Sequence, residues 1–78
     1  MTRRLPPMKE EALRLLARGS LRNTPGVGWQ SEFSQLVFNT HTVSWLVSER
    51  WAEFINDSSV AQITPAGRHA HTAMEAMS

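Results

Sequence analysis

His41, His69 and His71 have the widest chemical reach in this chain, because imidazole ligates metals and moves protons near neutral pH. His69 and His71 stand two residues apart, and on a helix that spacing turns them to different faces. Such a pair is a poor chelate, so no metal is expected, and exposed or interface histidines fit the pattern better. The chain has no cysteine, which removes disulfide scaffolds, thiolate zinc sites and cysteine nucleophiles. The stretch "TPGVG" at 24–28 is glycine-rich but lacks the Gly-Lys-Ser/Thr ending with which a phosphate loop holds a nucleotide. No carboxylate pair and no nucleophile elbow stand out. Neither an enzyme nor a cofactor is expected.

The arginines carry the clearer signal. Residues 1–22 hold Arg3, Arg4, Lys9, Arg14, Arg18 and Arg22 against Glu10 and Glu11, a net +4 within a chain whose overall charge is +1. Residues 23–78 hold Arg50 and Arg68 against five carboxylates, a net −3. A basic end beside a near-neutral body suits contact with phosphate. The alternative is a solvated, arginine-rich terminus.

These side chains need a scaffold, and 78 residues make one small domain with a modest core. A hydrophobic share of 41%, with three Trp and three Phe, marks the chain as globular. The terminus "MTRRLPPMKEE" has positive charge but no apolar stretch behind it, so no secretory signal is expected there. No transmembrane run is present, and a cytoplasmic protein is expected.

Met8, Ala12, Leu13, Leu16 and Ala17 recur at three- and four-residue spacing. With Pro6 and Pro7 ahead and Gly19 behind, they predict a first helix over 8–19. "SLRNTPGVG" predicts a loop with Leu21 and Val27 turned inward. Trp29, Phe33, Leu36 and Val37 predict a short second helix in 29–38, beginning at Gln30 or Ser31. Val43, Leu46, Val47, Trp51, Phe54 and Ile55 form an apolar stripe sustained for more than three turns, which predicts a long helix over 41–55 with Thr40 or Thr42 as its N-cap. Trp45 lies at the margin of that stripe, where it completes the core, meets a partner or stacks on a nucleic acid. "NDSS" is turn chemistry, and Val60 to Thr64 alternate as a strand. Thr64 then caps a C-terminal helix over 65–78 that opens on Pro65. Residues 1–7 are read as a basic, flexible arm.

Only the short stretch Phe38, Asn39, Thr40 and His41 links the cores of the second and third predicted helices, the spacing of a helix-turn-helix. This order, ending in Ile63-Thr64-Pro65-Ala66-Gly67-Arg68, resembles the winged helix-turn-helix domains of bacterial transcription regulators. In those domains the last wing strand commonly closes on an apolar residue, Thr, two variable residues, Gly and a cation. "HTVSWLVSERW" looks like their recognition helix, and the resemblance covers about residues 8–72. It implies a mainly α domain with a small β-hairpin.

It also implies a repressor-like regulator that binds double-stranded DNA. The helix over 41–55 would enter the major groove and offer Thr40, His41, Thr42, Ser44, Trp45 and Ser48 to the bases. Arg3, Arg4, Arg22 and Arg50 would hold the backbone. Two features depart from the family: 54–59 leaves room for only a very short first wing strand, and the outward face of the helix carries Glu49 and Glu53, which repel phosphate. They favour a second class of function, a protein-binding adaptor or inhibitor of mobile-element type that keeps the fold without DNA contacts. Ala66, Ala70, Ala73, Met74 and Met77 form a thin apolar stripe through which the C-terminal helix pairs with a second copy, unless it folds back on Leu13 and Leu16 or frays in solution. No room is left for a ligand-sensing core.

Overall fold

Pro7 needs no partner for its missing N–H at a helix start, and the computed structural model, which describes residues 7–77, begins α1 there (Pro7–Leu16). Ala12, Leu13, Leu15 and Leu16 are buried along one side, as the spacing predicts. Arg14 sits on the other side, with Nη2 3.0 Å from Glu10 and Nη1 3.1 Å from Glu11.

The loop expected after α1 is a hairpin. Strands β1 (Leu21–Thr24) and β2 (Gly28–Gln30) pair antiparallel through Arg22 with Gln30 and Asn23 with Trp29. Their link is a type II turn: Pro25 presets its own φ, Gly26 takes φ +80°, and the Val27 N–H donates to the Thr24 carbonyl at 2.9 Å. Leu21 is fully buried as expected, but Val27 at the turn is exposed.

The second helix predicted in 29–38 does not form. Trp29 and Phe38, both buried, exchange backbone hydrogen bonds at 2.8 Å in each direction, so the chain doubles back on itself. The Ser31 and Ser34 hydroxyls accept the N–H groups of Phe33 and Leu36 at 3.0 and 3.1 Å, local bonds that compete with a helical ladder. Phe33, Leu36 and Val37, whose spacing suggested an amphipathic face, stand 45%, 43% and 38% exposed.

The long helix expected over 41–55 is cut in two. Its first part is α2 (Thr40–Ser48), capped by Asn39, whose Oδ1 accepts the Thr42 N–H at 2.8 Å; neither Thr40 nor Thr42 is the cap. Beyond Ser48 the chain closes in a Schellman motif: Arg50 takes φ +65° and donates to the Val47 carbonyl at 2.9 Å, and Trp51 donates to the Leu46 carbonyl at 3.1 Å. Left-handed backbone at Arg50 stops the helix and turns the chain into β3 (Ala52–Ile55), which pairs with β4 (Val60–Ile63). Asn56, Asp57 and Ser58 join these strands, each at φ between +50° and +66°; for Asn and Asp such values are tolerable. α3 (Pro65–Ala76) follows with Thr64 as N-cap and Pro65 in the first turn, as the sequence predicts.

The described residues therefore hold three helices and a four-stranded antiparallel sheet in the order β2-β1-β4-β3, the expected mix of helix and strand with a larger sheet than a small hairpin. Pairing puts Leu21, Ala61 and Phe54 on one face and Gln30, Arg22, Val60 and Ile55 in a row on the other. The helices cover the first face: α1 lies against α2, α3 and β4, α2 against β2 and β3, and α3 against β4. The Trp29 and Phe54 rings meet there at 5.5 Å.

Candidate nucleic-acid interface

α2 leaves one side to solvent. His41, Ser44 and Ser48, at i, i+3 and i+7, are exposed along it, and none of the three is charged beyond what His41 can carry. The Ser48 hydroxyl donates back to the Trp45 carbonyl at 2.7 Å, so its oxygen stays open as an acceptor. Thr40 opens the helix, and its Oγ1 accepts the Trp29 indole N–H at 3.2 Å, which ties it to the core beneath. Thr42 is turned inward at 9% exposed and is withdrawn from any such surface.

Trp45 is half-buried against the core, the first of the three roles open to it in the sequence. Its ring meets the Trp51 ring edge-on at 5.8 Å, and Lys9 Nζ lies 4.2 Å from its centroid. That contact brings Lys9 of α1 to the second half of α2, a proximity the sequence spacing does not signal.

Four bonds build the corner beyond α2. Thr64 Oγ1 donates to the Arg50 carbonyl at 2.6 Å and accepts the Gly67 N–H at 3.0 Å. The Thr64 N–H donates to the Trp51 carbonyl at 3.0 Å, and its own carbonyl accepts the Arg68 N–H at 2.9 Å. Gly67 is buried, and a Cβ there would collide with the Trp51 carbonyl oxygen. The Thr-Pro-Ala-Gly-Arg run thus serves to weld the end of α2 to the start of α3. Arg50 and Arg68, both exposed, emerge from the same weld.

The remaining arginines go elsewhere. Arg22 stands on the sheet face opposite the helices, where it lines a shallow polar groove with Ser20, Gln30 and Glu32; it shares no surface with α2. Arg18 lies over the Phe33 ring at 4.8 Å. Arg3 and Arg4 lie outside the described residues. Arg14 reaches across to Glu75 of α3 at 3.0 Å, and that bond, with Glu10 and Glu11 alongside, raises its guanidinium above the ordinary value. The same bond holds the Glu75 carboxyl below the usual carboxylate range, and His71 Nε2 adds a contact at 3.2 Å.

Among the described residues no three His, Asp or Glu side chains converge as metal ligands would, and no helix is long and apolar enough to cross a membrane. Set against protein-family models, curated proteins and solved structures, the chain matches none.

Proposed function

We propose that this chain is a small, repressor-like regulator that acts in the cytoplasm and binds duplex DNA through α2, in the manner of a winged helix. The observation that carries the reading is the uncovered side of α2: His41, Ser44 and Ser48 aligned over two turns, with Thr40 at the helix start. An α-helix with short polar side chains fits the major groove, where hydroxyls and imidazole pair with either donor or acceptor edges. In this reading the β3–β4 hairpin, whose first strand packs against α2, would serve as a short wing. Phosphate contact falls to Arg50, with Arg3 and Arg4 of the N-terminal segment, and not to Arg22.

Pairing of two copies through α3 belongs to the same reading, because one small module offers few base contacts. Ala70 and Met74 of its stripe are used within the chain, which leaves Ala66, Ala73 and Met77 exposed for a second copy.

The test is fluorescence anisotropy on mixed-sequence duplexes at low salt, comparing the wild type with Ser44→Glu/Ser48→Glu. Loss of binding with an unchanged circular dichroism spectrum supports α2 as the reader. Retained binding removes it.

A protein-binding adaptor is the second reading, and one observation favours it. Val27, Phe33, Leu36 and Val37 are exposed within eleven residues of chain, and Val37 lies against Gly28 in the adjoining hairpin. Exposed apolar side chains that gather into a patch mark protein contacts. A wild type that binds no duplex at about 50 mM salt and micromolar concentration moves the assignment there.

A further inference from the structure

We infer that Arg50 and Arg68, with Lys9 over Trp45 of the same helix as a third cation, form a phosphate clamp at the C-terminal end of α2 that grips the DNA backbone flanking the groove. The inference rests on the DNA-binding reading and adds to it the residues that supply affinity. Thr64 fixes the two arginines relative to each other, since its hydroxyl holds the Arg50 carbonyl at 2.6 Å and its carbonyl holds the Arg68 N–H at 2.9 Å. Lys9 lies over the Trp45 ring, which meets the Trp51 ring edge-on, and the Trp51 backbone carbonyl abuts Gly67 at the start of α3.

Both arginine side chains are exposed, and neither makes an ion pair among the described residues. Their structural duties are met by backbone atoms alone. Arg14 provides the contrast, because Glu10, Glu11 and Glu75 surround its guanidinium and cancel it.

Two negative contributions oppose the clamp. Glu49 is exposed next to Arg50, and the C-terminus of a helix carries about half a negative charge. Two arginines against one carboxylate and that half charge leave about +0.5 at this corner, and Lys9 over Trp45 adds to it, so attraction for phosphate wins. A guanidinium pair also suits phosphate oxygens geometrically, through parallel N–H groups.

The experiment measures duplex affinity by anisotropy across a salt series for the wild type, Arg50→Gln, Arg68→Gln, the double variant and Arg50→Lys/Arg68→Lys. Each lost phosphate contact should lower the slope of log affinity against log salt by about 0.9. The double variant should lose close to two units, weaken binding to all sequences alike, and keep the wild-type melting temperature; the double lysine variant should keep most of the slope. A wild type that binds while the double glutamine variant retains its full slope overturns the clamp and leaves the DNA reading standing. A wild type that binds no duplex overturns both. Arg68→Gln serves as the safeguard for folding, because its side chain has no hydrogen-bond or ion-pair partner among the described residues.

Discussion

Removing the Thr64 hydroxyl takes away two hydrogen bonds at once, the one given to the Arg50 carbonyl and the one received from the Gly67 N–H. Thr64→Val keeps the β-branched shape, so its effect isolates those bonds. A lost N-cap costs about 1–2 kcal/mol, which in a domain of this size lowers the melting temperature by roughly 4–16 °C. Gly67→Ala acts on the same weld by crowding rather than by loss. The Trp51 carbonyl cannot retreat without giving up the Thr64 N–H at 3.0 Å, so an added methyl must spread β3 from α3. Overpacking of this kind costs about 1–3 kcal/mol. Thermal melting of both variants checks the account, and a Gly67→Ala protein as stable as the wild type would show that the corner has slack.

The extended segment between β2 and α2 and the attachment of α3 can each be tested as elements. Because Trp29 and Phe38 anchor the irregular segment 31–37, Phe38→Ala should cost about 3–5 kcal/mol by emptying a buried site, while Leu36→Ala should stay within about 0.5 kcal/mol. Equal losses in chemical denaturation would restore the amphipathic helix. α3 is held to α1 by Arg14 and Glu75, an exposed contact whose strength salt reduces. The folded Glu75 carboxyl titrates below its ordinary value of 4.5, so this contact stabilises the fold above that pH and is lost as pH falls through the depressed folded value. Hydrogen exchange in α3 should therefore quicken in acid more for the wild type than for Glu75→Gln, which lacks the contact at every pH.

For the whole molecule, the open question is how many copies act together. Ending the chain at Arg68 would remove the contacts of Ala70 and Met74 with the core as well as any partner surface, so a truncation confounds folding with assembly. Ala73→Glu/Met77→Glu places charge only on exposed positions and avoids that confusion. Sedimentation should find the wild type dimeric at high micromolar concentration and this variant monomeric, with equal melting temperatures for dilute samples. A wild-type monomer would leave α3 with only its intramolecular role.

Local chemistry was legible where one short stretch determines its own conformation. α1 follows from its apolar spacing and flanking prolines, and the β4-to-α3 corner follows from Thr64 and Pro65, because caps and helix starts draw on neighbours a few residues away. The type II turn was equally local, since Pro25-Gly26 invites it, yet the surrounding glycines read as a plain loop. Of the candidate site, His41, Ser44 and Ser48 could be placed from the sequence because they lie off a stripe that does become a helix. The rest depended on partners far along the chain. Helical spacing in 29–38 lost to the Trp29 and Phe38 pairing, and the long stripe over 41–55 lost its second half to β4 once Arg50 turned left-handed. Period alone cannot tell a buried strand from a helix when the deciding bonds come from another segment. Strand pairing likewise sent Arg22 to the far face and Thr64 drew Arg50 and Arg68 together, placements that exist only after the sheet has formed and its two faces have become distinct.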